Sequence, residues 1–148
     1  MMFIHWSHIP KEIWTWENFH PKSDTFLACP CCGEIYVHKP SLDKLQSSRV
    51  ILAKPMSLNS GHRCWHRNAL VGGVINSAHR LLSFDVSTRR HDRYDLLNSL
   101  AKAGFTTFGL YKTFIHTDNR PNRRWYGNKG AKQLWTSDQL QKALLGRL

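Results

Sequence analysis

Three short apolar stretches each carry a metal-capable side chain: Ser77-Ala78-His79, Phe84-Asp85-Val86 and Phe114-Ile115-His116-Thr117-Asp118. Two histidines and an aspartate form the nitrogen and oxygen donor set of a catalytic zinc, which keeps a fourth position for water. Water so bound is acidified toward neutral pH and becomes a nucleophile against a carbonyl. This set puts a strong demand on the fold. The stretch around Asp85 has to lie beside the one ending in His116-Thr117-Asp118, with His79 in the loop before it, so that a metal is held between adjacent strands. Residues two apart on a strand share a face, so His116 and Asp118 point the same way. Taken singly, each of these residues reads more readily as a hydrogen-bonded histidine, one of nine in the chain, or as a turn-forming aspartate.

A chain of 148 residues, 41% of them hydrophobic, is most simply one domain that buries ~68–70% of its unfolded surface without staples. Its net charge of +11 attracts polyanions such as nucleic acid, anionic lipid or a bacterial wall. The lysines and arginines are spread along the chain, apart from Arg89-Arg90 and the run Arg120 to Arg124, and spread charge selects no partner. No apolar run approaches the ~18 residues of a membrane span. The start of the chain has no basic segment, a short apolar stretch and an early Pro10, which is not a secretory signal; synthesis in a reducing cytoplasm is expected. Disulfides are then the less favoured state for Cys29, Cys31, Cys32 and Cys64. Their Cys-x-Cys-Cys spacing departs from the paired Cys-x2-Cys knuckles of zinc ribbons. Buried thiols that hold the N-terminal segment against the Cys64 loop are favoured over a structural zinc site using some of the thiols with His62 or His66.

Residues 1–28 are rich in tryptophan (Trp6, Trp14, Trp16) and read as a lid or wrap with one short helix. Ser41 to Lys54 has helical spacing of Leu42, Leu45 and Leu52, with Ser41 as N-cap and Pro55 beyond its end. A short strand over Met56 to Asn59, a turn at Ser60-Gly61 and a short helix over His66 to Val71 follow. Ser83 to Ser87 is a strand. Asp92 to Ala103 is the clearest helix, with Leu96, Leu97, Leu100 and Ala101 on one face and Gly104 closing it. Phe105 to Tyr111 and Thr113 to Asp118 form a hairpin, and a capping box at Thr136-x-x-Gln139 opens a C-terminal helix in a helical tail over 128–148. Strands interspersed with helices predict a single α+β domain with a small antiparallel sheet.

In this order the motifs resemble the zinc peptidases of bacterial cell walls, the D-alanyl-D-alanine carboxypeptidase and L-alanyl-D-glutamate endopeptidase family, whose fold is shared with the hedgehog signalling domain. Asn59-Ser60-Gly61-His62-Arg63-Cys64 looks like the family's Ser-Gly-Tyr-Arg segment and is followed by Asn68 to Gly73. Asn76-Ser77-Ala78-His79 through Phe84-Asp85-Val86 resembles its metal segment. Gly104-Phe105, Gly109-Leu110-Tyr111, Phe114 to Asp118 and Arg124-Trp125 match its closing strands. The resemblance spans roughly Trp16 to Gly127, and several motifs in order are more specific than any one.

The resemblance implies that His79, Asp85 and His116 bind Zn2+, and that Arg63 faces substrate to steady an oxyanion or grip a carboxylate. It implies supporting roles for Ser77 and for Asn68 near the substrate; Tyr111 is a pocket wall or, as the favoured reading, a core aromatic. The chain departs from the family twice. Asp85 stands six positions after His79, one closer than usual, so the loop between them has to absorb the difference. Where relatives place a general base before the last ligand, this chain has Thr113 and Phe114. Asp118 is the substitute base, or else a group that orients His116. The expected activity is hydrolysis of peptidoglycan stem peptides or cross-links, by a monomeric phage or prophage endolysin that is made in the cytoplasm and acts at the wall, with neither membrane nor nucleic acid as partner. The competing readings are a basic nucleic-acid-binding module using Arg120 to Arg124 and the Gly61–Asn68 loop, and a degenerate relative that binds wall without cutting it.

Overall fold

Alternation along two short strands sorts the core from the site. In β4 (Phe84–Ser87), Phe84 and Val86 are fully buried in the hydrophobic core, and Asp85 between them points to the opposite side. In β6 (Phe114–Asp118), Ile115 joins the core and His116 takes Asp85's side. The computed structural model describes residues 2–74 and 76–146. With β3 (Leu58–Ser60), β5 (Thr107–Leu110) and β7 (Arg123–Tyr126), the two strands make a five-stranded sheet in the order β3-β4-β6-β5-β7. Every pairing is antiparallel except β5 with β7. The register lines up one row of residues across the sheet: Ser60, Asp85, His116, Gly109 and Trp125.

The helices close the core face. Helix α1 (Lys39–Leu52) packs on α3 (Arg93–Lys102), and α3 packs on α5 (Ser137–Leu144). Together they bury Leu42, Leu45, Leu96, Leu97, Leu100 and Leu140. Asp92 caps α3 by accepting the backbone N–H groups of Tyr94 and Asp95 at 2.9 and 3.0 Å. Two short helices, α2 (Trp65–Leu70) and α4 (Lys129–Leu134), complete the set. No helix among the described residues is long and apolar enough to cross a membrane.

The expected α+β domain forms, with one parallel edge added to its antiparallel sheet. Several details differ from the sequence reading. Helix α1 is capped three residues earlier than expected, with His38 in place of Ser41 at the cap position and Pro40 in the first turn. Ser41 is therefore inside the helix and buried, where its hydroxyl pairs with His38 Nδ1 and accepts from Asn119. The helix ends on Ala53 in the left-handed conformation, before Pro55 is reached. Thr136 caps α5 without a side-chain cap bond. Its hydroxyl instead meets the Tyr94 hydroxyl at 3.0 Å, which also accepts the Thr136 N–H at 2.7 Å. In the N-terminal segment, β1 (Met2–His5) pairs antiparallel with β2 (Glu34–Val37), a strand pair absent from the sequence reading, and a short 3-10 helix at Trp6–His8 follows β1.

Candidate active site

His79 stands in a 3-10 turn, Ala78–Arg80, capped by Ser77. Asp85 and His116 are direct cross-strand partners in β4 and β6. The turn brings His79 Nε2 to 3.3 Å from Asp85 Oδ1, so the shortened His79–Asp85 spacing is taken up before the strand begins. His116 Nδ1 lies 2.9 Å from the same oxygen. One ligand atom from each of the three residues falls within 4.8 Å of the others. Tetrahedral zinc with bonds of about 2.1 Å sets its ligand atoms about 3.4 Å apart, and the three residues fit that spacing.

Tautomers sharpen the fit. His79 Nδ1 faces the Gly61 carbonyl at 2.7 Å, and a carbonyl only accepts, so Nδ1 carries the hydrogen and Nε2 offers its lone pair toward Asp85. His116 Nε2 donates to Asp118 Oδ2 at 2.7 Å, which turns the Nδ1 lone pair toward Asp85 Oδ1. Lone pairs of two imidazoles and a carboxylate then converge with no hydrogen between them, an arrangement that calls for a cation at their centre. Burial opposes the charge on His116, but the Asp118 and Asp85 carboxylates outweigh it and raise its pKa. Burial likewise pushes Asp85 up, yet hydrogen bonds from His116 and His79 hold it well below the usual carboxylate range.

Asp118 is almost wholly buried, where its carboxylate takes His116 on one side and Arg120 on the other. Arg120 Nε and Nη2 reach it at 3.0 and 2.7 Å. Asp118 thus addresses the ring nitrogen of His116 that faces away from Asp85. The clamp by Arg120 was legible only as a charge two positions along. Burial favours the neutral acid, but His116 and Arg120 keep the Asp118 carboxyl well below its ordinary pKa.

A cavity of about 460 Å³ opens over the three ligands, lined among others by Arg63, Ser77, Tyr111, Phe114, Arg123 and Trp125. Arg63 donates through Nη2 to Ser77 Oγ at 2.9 Å, and its backbone N–H to the His79 carbonyl at 2.6 Å. Burial lowers its pKa, with Asp85 acting the other way. Tyr111 is a wall of this cavity rather than the core aromatic expected, because the hairpin turn leaves it at the rim, stacked on Phe114 with ring centroids 4.2 Å apart. Asn68 lies outside the lining: it is buried at the end of α2 and donates to the Val74 carbonyl at 2.8 Å.

Two contributors were missed in the sequence. Gly109 occupies the row between His116 and Trp125, and a Cβ there would meet the indole at 2.6 Å. The bare glycine lets Trp125 lie against His116, ring centroids 5.3 Å apart; a glycine inside a strand was the available signal. Ser60, read as a turn residue and as part of the family-like Ser60–Arg63 segment but given no role, has its hydroxyl 3.4 Å from His79 Nδ1. The nucleic-acid reading loses one of its residues to the interior and another to an ion pair. Arg120 is engaged by Asp118, and His62 is fully buried with Nδ1 at the Leu81 carbonyl and Nε2 at Glu34, each at 2.7 Å.

No curated protein matches the chain significantly. The profile of the family described as Peptidase M15 matches residues 22–118, a span that holds all three metal-capable residues and ends on Asp118. The chain belongs to the Peptidase M15 family, and is a metallopeptidase by membership.

Proposed function

We propose that the protein is a zinc-dependent peptidase that cuts the stem peptides or cross-links of peptidoglycan, acting as a monomer in wall lysis of the endolysin kind. The observation that carries the reading is the convergence of His79, Asp85 and His116 with their lone pairs turned on one point. Zinc held there would polarise the scissile carbonyl and bring its bound water toward neutral pKa.

The remaining work falls to the chain's own side chains. Gly61 and Asp118 keep hydrogens on the outer nitrogens of His79 and His116, so each presents its inner nitrogen. Arg63, at the cavity wall and tied to Ser77, is placed to grip a substrate carboxylate or to steady the oxyanion that develops on the attacked carbonyl. Arg123 in the same cavity lining and the net charge of +11 suit an anionic wall polymer. Tyr111, Phe114 and Trp125 give the peptide an apolar bed. The position of Asp118 behind His116, out of the cavity lining, supports an orienting role for it over that of general base.

Digestion of purified peptidoglycan, read by mass spectrometry with and without a zinc chelator, tests this. New fragments whose masses name a cut peptide bond are expected from the zinc-loaded protein and not after chelation or in His116→Ala. Wall binding without new fragments, or cutting that survives chelation, would overturn it.

A further inference from the structure

The fold gathers a second set of metal-capable side chains outside the cavity. Cys29, Cys31 and Cys32 come from the turn before β2, and Cys64 from the cap position of α2. Their sulfurs all lie within 4.8 Å of one another. Cys31 Sγ is 3.5 Å from Cys29 Sγ and 3.2 Å from Cys64 Sγ. All four are free thiols. A tetrahedral tetrathiolate centre with bonds of about 2.3 Å sets its sulfurs about 3.8 Å apart. Pairwise oxidation would need only two close contacts among four thiols, whereas an ion at their centre draws on every pair, and here every pair is close.

Local backbone structure presents the sulfurs. The Gly33 N–H closes on the Cys29 carbonyl at 2.8 Å, and the Cys29 N–H donates to the Glu34 carbonyl at 2.7 Å. Gly33 adopts φ +76 in this turn, where a side chain would also strike the His5 ring. Backbone N–H groups reach two of the sulfurs, that of Arg67 at 3.4 Å from Cys64 Sγ and that of Glu34 toward Cys32. Such N–H···S bonds favour thiolates. His62 is no ligand, since both its ring nitrogens are engaged elsewhere. Among the described residues, His66 is likewise outside the set.

We infer that Cys29, Cys31, Cys32 and Cys64 bind a second, structural zinc ion that pins the N-terminal segment to the loop carrying Arg63. Four sulfurs in tetrahedral reach suit zinc among the thiophilic metals, and a closed set of four leaves no position for substrate. The site is independent of the proposed peptidase chemistry. Its bearing on that chemistry is positional, because Cys64 directly follows Arg63, whose backbone N–H is bonded to the carbonyl of His79.

The test uses the intact chain, purified without chelator, and the His116→Ala variant. Zinc is counted by mass spectrometry, then displaced by a mercurial thiol reagent with a colorimetric zinc indicator present. Two zinc ions are expected in the unmodified chain and one in His116→Ala, that one released as the four thiols are titrated. The same variant loaded with cobalt should show intense sulfur-to-cobalt charge-transfer absorption, a readout that does not depend on cysteine variants folding. One zinc in both proteins, released with the thiols, would support this site while removing the metal from the other. Thiols that react freely before any zinc is displaced, two disulfides by mass, or iron in place of zinc would overturn it.

Discussion

Asp85 and His116 are cross-strand partners in the β4–β6 ladder, and a single carboxylate oxygen of Asp85 lies 2.9 Å from His116 Nδ1. Directly opposed positions of an antiparallel pair hold their side chains ~4.5–5.5 Å apart at Cβ, so the backbone ladder itself fixes the separation of two ligands. Only His79, on its 3-10 turn, has to be positioned by loop structure.

Asp118→Asn separates an orienting role from a proton-transfer role. Loss of an outer partner of a metal-bound histidine typically weakens metal binding ~10–100-fold. The variant should need correspondingly more free zinc for half-maximal activity and then reach nearly the original kcat. A kcat that stays low at saturating zinc would return Asp118 to the role of base.

Arg63→Ala is expected to leave zinc content unchanged and to lower kcat/KM by ~10²–10³, the range found when a donor to a developing oxyanion is removed. Arg63→Lys should recover part of the loss, since a point charge remains but the two-pronged geometry does not. Equal activity of Ala and Lys variants would show that the charge has no part in turnover.

Gly109→Ala drives a methyl group into the indole of Trp125, 2.6 Å away. Overpacking of this kind costs ~1–3 kcal/mol, to be read from the denaturant midpoint. In a Trp125→Ala background the same change should cost much less. Additive effects of the two substitutions would mean that the indole does not occupy the space above Gly109.

The chelated protein should be most stable between about pH 4 and pH 6.5. His116 has a raised pKa, because Asp118 and Asp85 outweigh the effect of its burial. Its contribution is therefore complete below the unfolded value of about 6.5 and is lost as pH rises through the folded one. Asp85 and Asp118 are depressed despite burial, by His116 with His79 and by His116 with Arg120. Their contribution is present above about pH 3.9 and is lost as pH falls below it. Thermal unfolding of the chelated and the zinc-loaded protein across this range checks the shape. The alkaline decline should be absent with zinc bound, since the ion then stands where the proton stood on His116 Nδ1. A chelated protein whose Tm climbs steadily above about pH 6.5 would contradict the assignment.

Strands β4 and β6 and helix α3 were legible because local pattern and tertiary role agree. Phe84, Val86 and Ile115 alternate with the polar ligands, and Asp92 caps a helix whose leucines share one face. Strand β7 was legible only through the family resemblance that set Arg124-Trp125 among the closing strands, because Arg123-Arg124-Trp125-Tyr126 has no burial pattern of its own and is ordered by parallel pairing with β5. The meeting of the Cys29–Cys32 turn with the Cys64 loop was anticipated, but burial of all four thiols was not met: only Cys29 is buried, and the mutual reach of the four sulfurs is set by how β2 and the Arg63 loop fold together. The grouping of His79, Asp85 and His116 was legible from their order in the chain, but which ring nitrogen of His116 meets Asp118 is a matter of three-dimensional placement.

The row that runs from Ser60 through Asp85, His116 and Gly109 to Trp125 also acts as a check on folding. A one-residue slip of β4 against β6 would turn Asp85 into the core and put Phe84 and Val86 in water, while His116 kept its face without its cross-strand partner. Metal uptake at the proposed site would therefore report correct strand pairing, and a chain with β4 slipped would expose Phe84 and Val86, the apolar residues that mark it for aggregation or degradation.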